Sequence, residues 1–336
     1  MTYNKLGKNV IKSFVGTAAA FGSLAYAYNI KPIDWILNLE FVRKELIKSI
    51  FTRNVRTLSL REGNKYVENH ALEEDIRNCI HCQPGGVKII WAPPGTGKST
   101  TVKHVLNAEI TDDKISGVLM LTPPRISMEP DEWFRHELRY LGFETLTKYD
   151  HLSGLIVAPI NKPYVIVIDQ CDNLIYDEKL RLFIKGIAED SNIYNNYVVI
   201  VICTDAWKAA TMKKWNGGVK IRLLNDEPIA YKWSVTQVEE WLKHNLKDHP
   251  TINSKINEVQ FDKFKKAAVD AGTPDFLITN SSPKDIITNQ KIDSWNQHST
   301  YINKSWLSGQ QLLSSSFTQS SKSKITKGEE LLPIRL

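Results

Sequence analysis

The chain has 336 residues, of which 42% are hydrophobic and 24% charged, proportions of a globular protein rather than of a disordered or fibrous one. Its formal net charge of +6 is unevenly placed. Lys5, Lys8, Lys12, Lys31, Arg43, Lys44, Lys48, Arg53 and Arg56 face only Asp34, Glu40 and Glu45 within residues 1–60. A basic arm suits an anionic membrane surface or nucleic acid, and equally a solvated end. The four cysteines are Cys79, Cys82, Cys171 and Cys203. Two of them lie in or beside apolar runs, which argues against a secreted disulfide framework and for a reducing compartment.

In chain order, residues 13–30 carry no charge and are about as long as a bilayer-crossing helix. They are rich in Ala, Gly and Ser. A membrane anchor, an organelle-targeting segment and a buried or surface helix all remain open readings for residues 1–32. Next, Trp35, Leu39, Val42, Leu46 and Ile50 fall on one stripe of an amphipathic helix, within a 33–64 helix-and-linker region. A helix is expected over Ala71–Ile80. From there, apolar runs suited to buried parallel strands occur at Val87–Trp91, Gly117–Leu121, Tyr164–Ile168, Tyr197–Cys203 and Val219–Leu223. Helices fit between them at Gly97–Asn107, Pro130–Leu141, Tyr176–Glu189 and Ala206–Trp215. The alternation predicts an α/β core over 65–230: a five-stranded parallel sheet with flanking helices. Residues 231–280 read as a small helical lid. Residues 281–336, rich in Ser, Gln, Asn and Lys, read as a disordered tail.

Two motifs carry chemistry. The first, Trp91-Ala-Pro-Pro94-Gly95-Thr96-Gly97-Lys98-Ser99-Thr100, follows a strand and opens a helix. Gly95 and Gly97 let the backbone curl so that amide N–H groups point at phosphates, and the helix N-terminus adds partial positive charge. Lys98 is expected on the β- and γ-phosphates and Ser99 on magnesium. Ala92 replaces the first glycine of the pattern at a strand end, where the change is tolerable. The second motif is a strand ending in Asp169, which is expected to hold magnesium through water. ATP and Mg2+ are therefore the expected ligands.

APPGTGKST, the strand ending VIDQCDNL and the polar residue closing VVIVICTD together resemble the AAA+ and STAND branches of P-loop NTPases over about residues 65–280. The resemblance implies that Thr204 senses the γ-phosphate and that Lys65–Glu68 sits over the adenine. It also implies that Gly272-Thr-Pro274 touches the nucleotide from the lid. An arginine finger is expected, with Arg222 and Arg181 as candidates; acting in trans, it would require a homo-oligomer.

One departure bears on rate. Gln170 stands where AAA+ ATPases carry the glutamate that polarises water, and an amide cannot accept a proton. Either Asp172 substitutes or hydrolysis is slow. The expected activity is thus a slow, membrane-associated ATPase that remodels a protein or nucleic acid. The alternative is an ATP-gated signalling or scaffolding switch with little hydrolysis. The expected setting is a membrane facing an ATP-containing compartment, such as a mitochondrion or the cytoplasm. Among weaker signals, Cys79-x-x-Cys82 reads as a helix end. Trp207–Trp215 reads as an amphipathic helix with both indoles inward, and Trp233 and Trp241 as lid core.

Overall fold

A computed structural model describes residues 66–82, 85–123, 129, 132–133, 135–137, 162–172, 178–194, 197–214, 221–243, 258–274 and 292–326. All belong to one compact unit, Ile50–Leu336. The segments at 13–30, 33–51 and 52–64 lie outside the described residues, as does most of the helix expected at Pro130–Leu141. Among the described residues, no helix is long and apolar enough to cross a membrane.

Five parallel strands form one sheet: β1 Val87–Trp91, β2 Gly117–Leu121, β3 Tyr164–Ile168, β4 Tyr197–Cys203 and β5 Ile221–Leu223. Their order is β2-β3-β4-β1-β5. Every residue of β1, β3 and β4 is buried, and apart from Lys88 in β1 the runs are apolar throughout rather than alternating. The register pairs Val87 with Val199 and Trp91 with Cys203, and on the other side Ile168 with Val201. The carboxyl ends of β1, β3 and β4 therefore lie side by side, the edge where open α/β sheets bind ligands.

The helices are α1 His70–His81, α2 Lys98–Thr111, α3 Glu178–Tyr194, α4 Ala206–Lys213, α5 Val235–Leu242, α6 Glu258–Ala271 and α7 Ile292–Thr326. Side-chain caps start most of those whose first turn is described. Asn69 accepts from Leu72 N at α1, Asp205 from Trp207 N and Lys208 N at α4, and Ser234 with Gln237 closes a capping box at α5. Helix α2 is the exception: its cap is Gly97, with no side-chain bond, so its first amide groups are left for a ligand. Buried Val67, Trp233, Val238, Leu242, Phe264, Ala267 and Ala268 form the core of the small helical part, with Trp241 packed against it.

Two expectations are corrected. Residues Ile292–Thr326 form a 35-residue helix, not a disordered tail, and bury Ile302, Trp306 and Leu313 against α4 and α6. Trp207 is 59% exposed, because α4 buries Ala209, Ala210 and Met212 instead; Trp215 lies outside the described residues. The Cys171 and Cys203 side chains come together, their Cα atoms 5.6 Å apart. Adjacency of β3 and β4 brings the two strand ends together, a proximity that the linear spacing does not reveal. Cys79 and Cys82 are free, with Cys79 buried at the end of α1 and its thiol pushed up to about 12 by that burial.

Candidate nucleotide site

The loop from Ala92 to Gly97 curls over the carboxyl edge of β1. Gly95 has φ 77° and Gly97 φ 81°, left-handed values that a side chain disfavours, so both glycines are needed for the curl. A cavity of about 250 Å³ opens beside it, lined by Pro94, Gly95, Gly97, Lys98, Ser99, Thr100, Asp169, Gln170, Asp172, Ile202 and Thr204. Three strands thus contribute to one site: the loop after β1, the carboxylates after β3 and the threonine after β4. Nearly all the residues singled out from the two motifs meet there. Thr96 is the exception; it is buried behind the loop, its hydroxyl donating to Pro93 O at 2.9 Å.

Lys98 is buried, and its ammonium donates to Ala92 O at 2.6 Å, Pro93 O at 2.9 Å and Thr96 Oγ1 at 3.4 Å. The alanine in place of the first glycine thus supplies a lysine acceptor through its backbone. Desolvation lowers the Lys98 ammonium to about 7, against the opposing pull of Asp172 and Asp169. Asp169, 8% exposed, accepts from Ser99 Oγ at 2.9 Å and from Gln170 N at 2.9 Å through the same Oδ1. Among the described residues it has no cation in hydrogen-bond contact. A hydroxyl and a buried carboxylate facing one cavity are hard oxygen donors, a set that fits magnesium.

Gln170 lines the cavity with an exposed side chain and a left-handed backbone, φ 56°. Holding a non-glycine residue there costs roughly 1–3 kcal/mol, a strain of the kind that collects at working sites.

Asp172 is placed differently from a free base. Its Oδ1 accepts from Thr204 N at 3.1 Å and Asp205 N at 3.0 Å, and its Oδ2 from Thr204 Oγ1 at 2.6 Å. Lys208 also donates to its main-chain oxygen. The carboxylate is committed to fixing Thr204, which leaves little of it for water. Its nearest oxygen and the Cys171 and Cys203 sulfurs lie within 4.8 Å of one another, but the same commitment removes it as a metal ligand.

Arg222 and Arg181 do not line this cavity. Arg222 is exposed on β5 beside Lys88 in register, and Arg181 pairs with Glu178 within α3 at 2.7 Å. Lys65 lies outside the described residues. Tyr66 stacks on His104 with ring centroids 3.9 Å apart, and Val67 joins the lid core; neither reaches the cavity lining.

Sequence reasoning missed two contacts. Trp233 Nε1 donates to Thr96 O at 3.1 Å, and the Thr273 hydroxyl donates to Gly95 O. Both tie the helical part to the curled loop from its outer side. The Gly-x-Pro at 272–274 hinted at the second contact; an indole in the lid core hinted at the first only through its need for a partner.

No protein-family model and no curated protein matches the sequence. Among solved structures, the chain is similar to the ORC2 protein of Aeropyrum pernix, at 13% identity and a TM-score of 0.43, over 75% of this chain and 71% of that one. It is similar to a Walker-type ATPase of Pyrococcus abyssi at 11% identity and a TM-score of 0.45, over 79% and 80%. It is also similar to AMPPCP-bound DnaA of Aquifex aeolicus at 10% identity and a TM-score of 0.35, over 80% and 91%. Likeness this distant carries no functional argument. The five-stranded parallel sheet, its strand order and the loop after β1 are themselves those of an α/β P-loop fold resembling AAA+ ATPases.

Proposed function

We propose that this chain binds magnesium–ATP and hydrolyses it slowly, using nucleotide state to remodel a protein or nucleic acid. The observation that carries the reading is the convergence of Lys98, Ser99 and Asp169 on one cavity, with Ser99 Oγ 2.9 Å from Asp169 Oδ1. Ser99 and Asp169 would hold the magnesium ion, whose charge favours a bound polyphosphate. The curled amides and the uncapped start of α2 bind phosphate oxygens, and Lys98 turns its ammonium from loop carbonyls to the polyphosphate. Thr204, fixed by Asp172, orients the terminal phosphate. Gln170 can hydrogen-bond the attacking water without taking its proton.

Calorimetry tests the first step. Binding of ATP with magnesium is expected for the natural chain, and no binding by the intact fold would overturn the reading.

The engagement of Asp172 favours a second reading, a nucleotide-gated switch that rarely turns over. Turnover in Gln170→Glu is expected to rise by roughly two orders of magnitude, because a general base typically contributes about 10²- to 10⁴-fold. Asp172→Asn is expected to lower turnover by disturbing Thr204. Unchanged turnover in Gln170→Glu would show that something other than the missing carboxylate limits the rate.

The finger candidates Arg222 and Arg181 could act only towards a neighbouring copy in a homo-oligomer. The uncharged segment 13–30 supports association with a membrane facing an ATP-containing compartment, an organelle or the cytoplasm. Full-length tagged chain is then expected in a membrane fraction, and chain lacking residues 1–32 in the soluble one. Like distributions would remove the membrane part of the reading.

A further inference from the structure

Thr204 is held from two sides. Asp172 takes its amide and hydroxyl; the opposite grip is the Trp91 indole, whose Nε1 donates to Thr204 O at 3.2 Å. Trp91 closes β1 immediately before the phosphate loop and is 2% exposed. A buried indole N–H needs an acceptor, and here the acceptor is the main chain of the residue proposed to read the terminal phosphate.

The far face of the same indole is gripped by α7. Trp306 meets it edge-on, with ring centroids 5.8 Å apart at 77°. At Gly309 the helix backbone comes so close that an added Cβ would lie 2.2 Å from Trp91 Cζ2 and Cη2. Trp91 therefore cannot tilt without disturbing α7, and α7 cannot slide without shifting Trp91. The helix also reaches the phosphate loop by a second route. Trp306 Nε1 donates to Ala271 O at 3.1 Å, two residues before the Thr273 that bonds Gly95 O.

We infer that α7 regulates the nucleotide site, with Trp91 as the positioning residue that couples the docking of this C-terminal helix to the placement of Thr204. The inference rests on the ATPase reading above. Coupling of this kind is reciprocal: nucleotide that fixes Thr204 steadies α7, and α7 displaced from Trp91 loosens Thr204. Trp91→Phe deletes the donor and, with Cζ2 and Cη2, the part of the ring that abuts Gly309, so it releases Thr204 and α7 together. Gly309→Ala, which is not among the cavity-lining residues, pushes the indole instead.

The test is hydrogen–deuterium exchange of the full chain with and without magnesium–ATP, alongside ATP turnover. In the natural protein, ATP is expected to slow exchange in the phosphate loop and, by about tenfold, in α7 around residues 302–313. In Trp91→Phe the loop stays protected and ATP affinity changes less than about twofold. Protection of α7 is lost, and kcat falls by roughly fivefold with little change in KM, the loss of one ordinary hydrogen bond. Gly309→Ala, if Trp91→Phe fails to fold, is expected to give the same split between loop and helix. Protection of the loop but not of α7 in the natural chain overturns the inference alone. Protection of neither overturns the ATP reading as well.

Discussion

Replacing Lys98 with methionine should weaken magnesium–ATP binding by roughly ten- to a hundredfold, since a hydrogen bond to a charged group is worth about 1.5–3 kcal/mol. The same variant should lose a pH dependence. In the folded protein without nucleotide the ammonium sits among Ala92 O, Pro93 O and Thr96 Oγ1, and burial lowers it to about 7 from 10.5. Between those values the unfolded chain binds the extra proton and the folded chain does not. Stability therefore rises with pH as the folded lysine deprotonates, by up to about 1.4 kcal/mol per pH unit for one proton. Above pH 9 the buried Cys79 thiol works against this, because the folded chain keeps a proton that the unfolded chain gives up. The clean window is pH 7 to 9, measured as urea midpoints of natural and Lys98→Met protein. Phosphate in the cavity restores the ammonium, so ATP binding at pH 8 should take up as much as one proton. Calorimetry in two buffers of different ionisation enthalpy reads that uptake. Equal pH slopes in the two proteins, with no uptake, would mean that Lys98 is not the buried cation described.

Trp306→Ala is the substitution expected to cost most in stability, about 3–5 kcal/mol, as for other large buried aromatic deletions. Trp306 is fully buried and bonds Ala271 O, so truncation empties a large site and strips a buried carbonyl of its donor. Against a typical total of about 5–15 kcal/mol, such a loss leaves a marginal fold. Cutting the chain before Ile292, where composition alone places a dispensable tail, should do more damage still. It would uncover Trp91 and the end of α6 together. An unchanged urea midpoint in either variant would show that α7 is not part of the core.

What could be read from the sequence follows from how each element is buried. β1, β2, β3 and β4 lie at the residues their apolar runs mark, because strands covered on both faces are apolar nearly throughout, with Lys88 the one charge among them. Gly95, Gly97, Lys98, Ser99 and Asp169, singled out from two separate motifs, line one cavity because the ends of β1 and β3 lie on the same edge of the sheet. Helix α7 was not legible. Its buried positions, Ile302, Trp306, Gly309 and Leu313, recur at three and four residues, but Ser, Gln and Asn fill the intervening places and dominate any average. Asp172 was legible as an acidic residue near the site, but its partners Thr204 and Asp205 arrive from another strand and were not. Trp91 offered still less. Only the adjacency of β1 and β4 gives its N–H somewhere to go.

The helical part grips the phosphate loop through an indole N–H and a threonine hydroxyl, both aimed at main-chain oxygens. No arginine occurs between Arg222 and Arg335 to add a guanidinium to that grip. Neutral dipoles are little affected by dissolved ions, whereas the long-range field that draws a polyphosphate from solution into the open cavity is screened. Raising ionic strength should therefore loosen the nucleotide long before it loosens the clasp. The two halves of the site answer to different physical variables, and salt is the one that separates them.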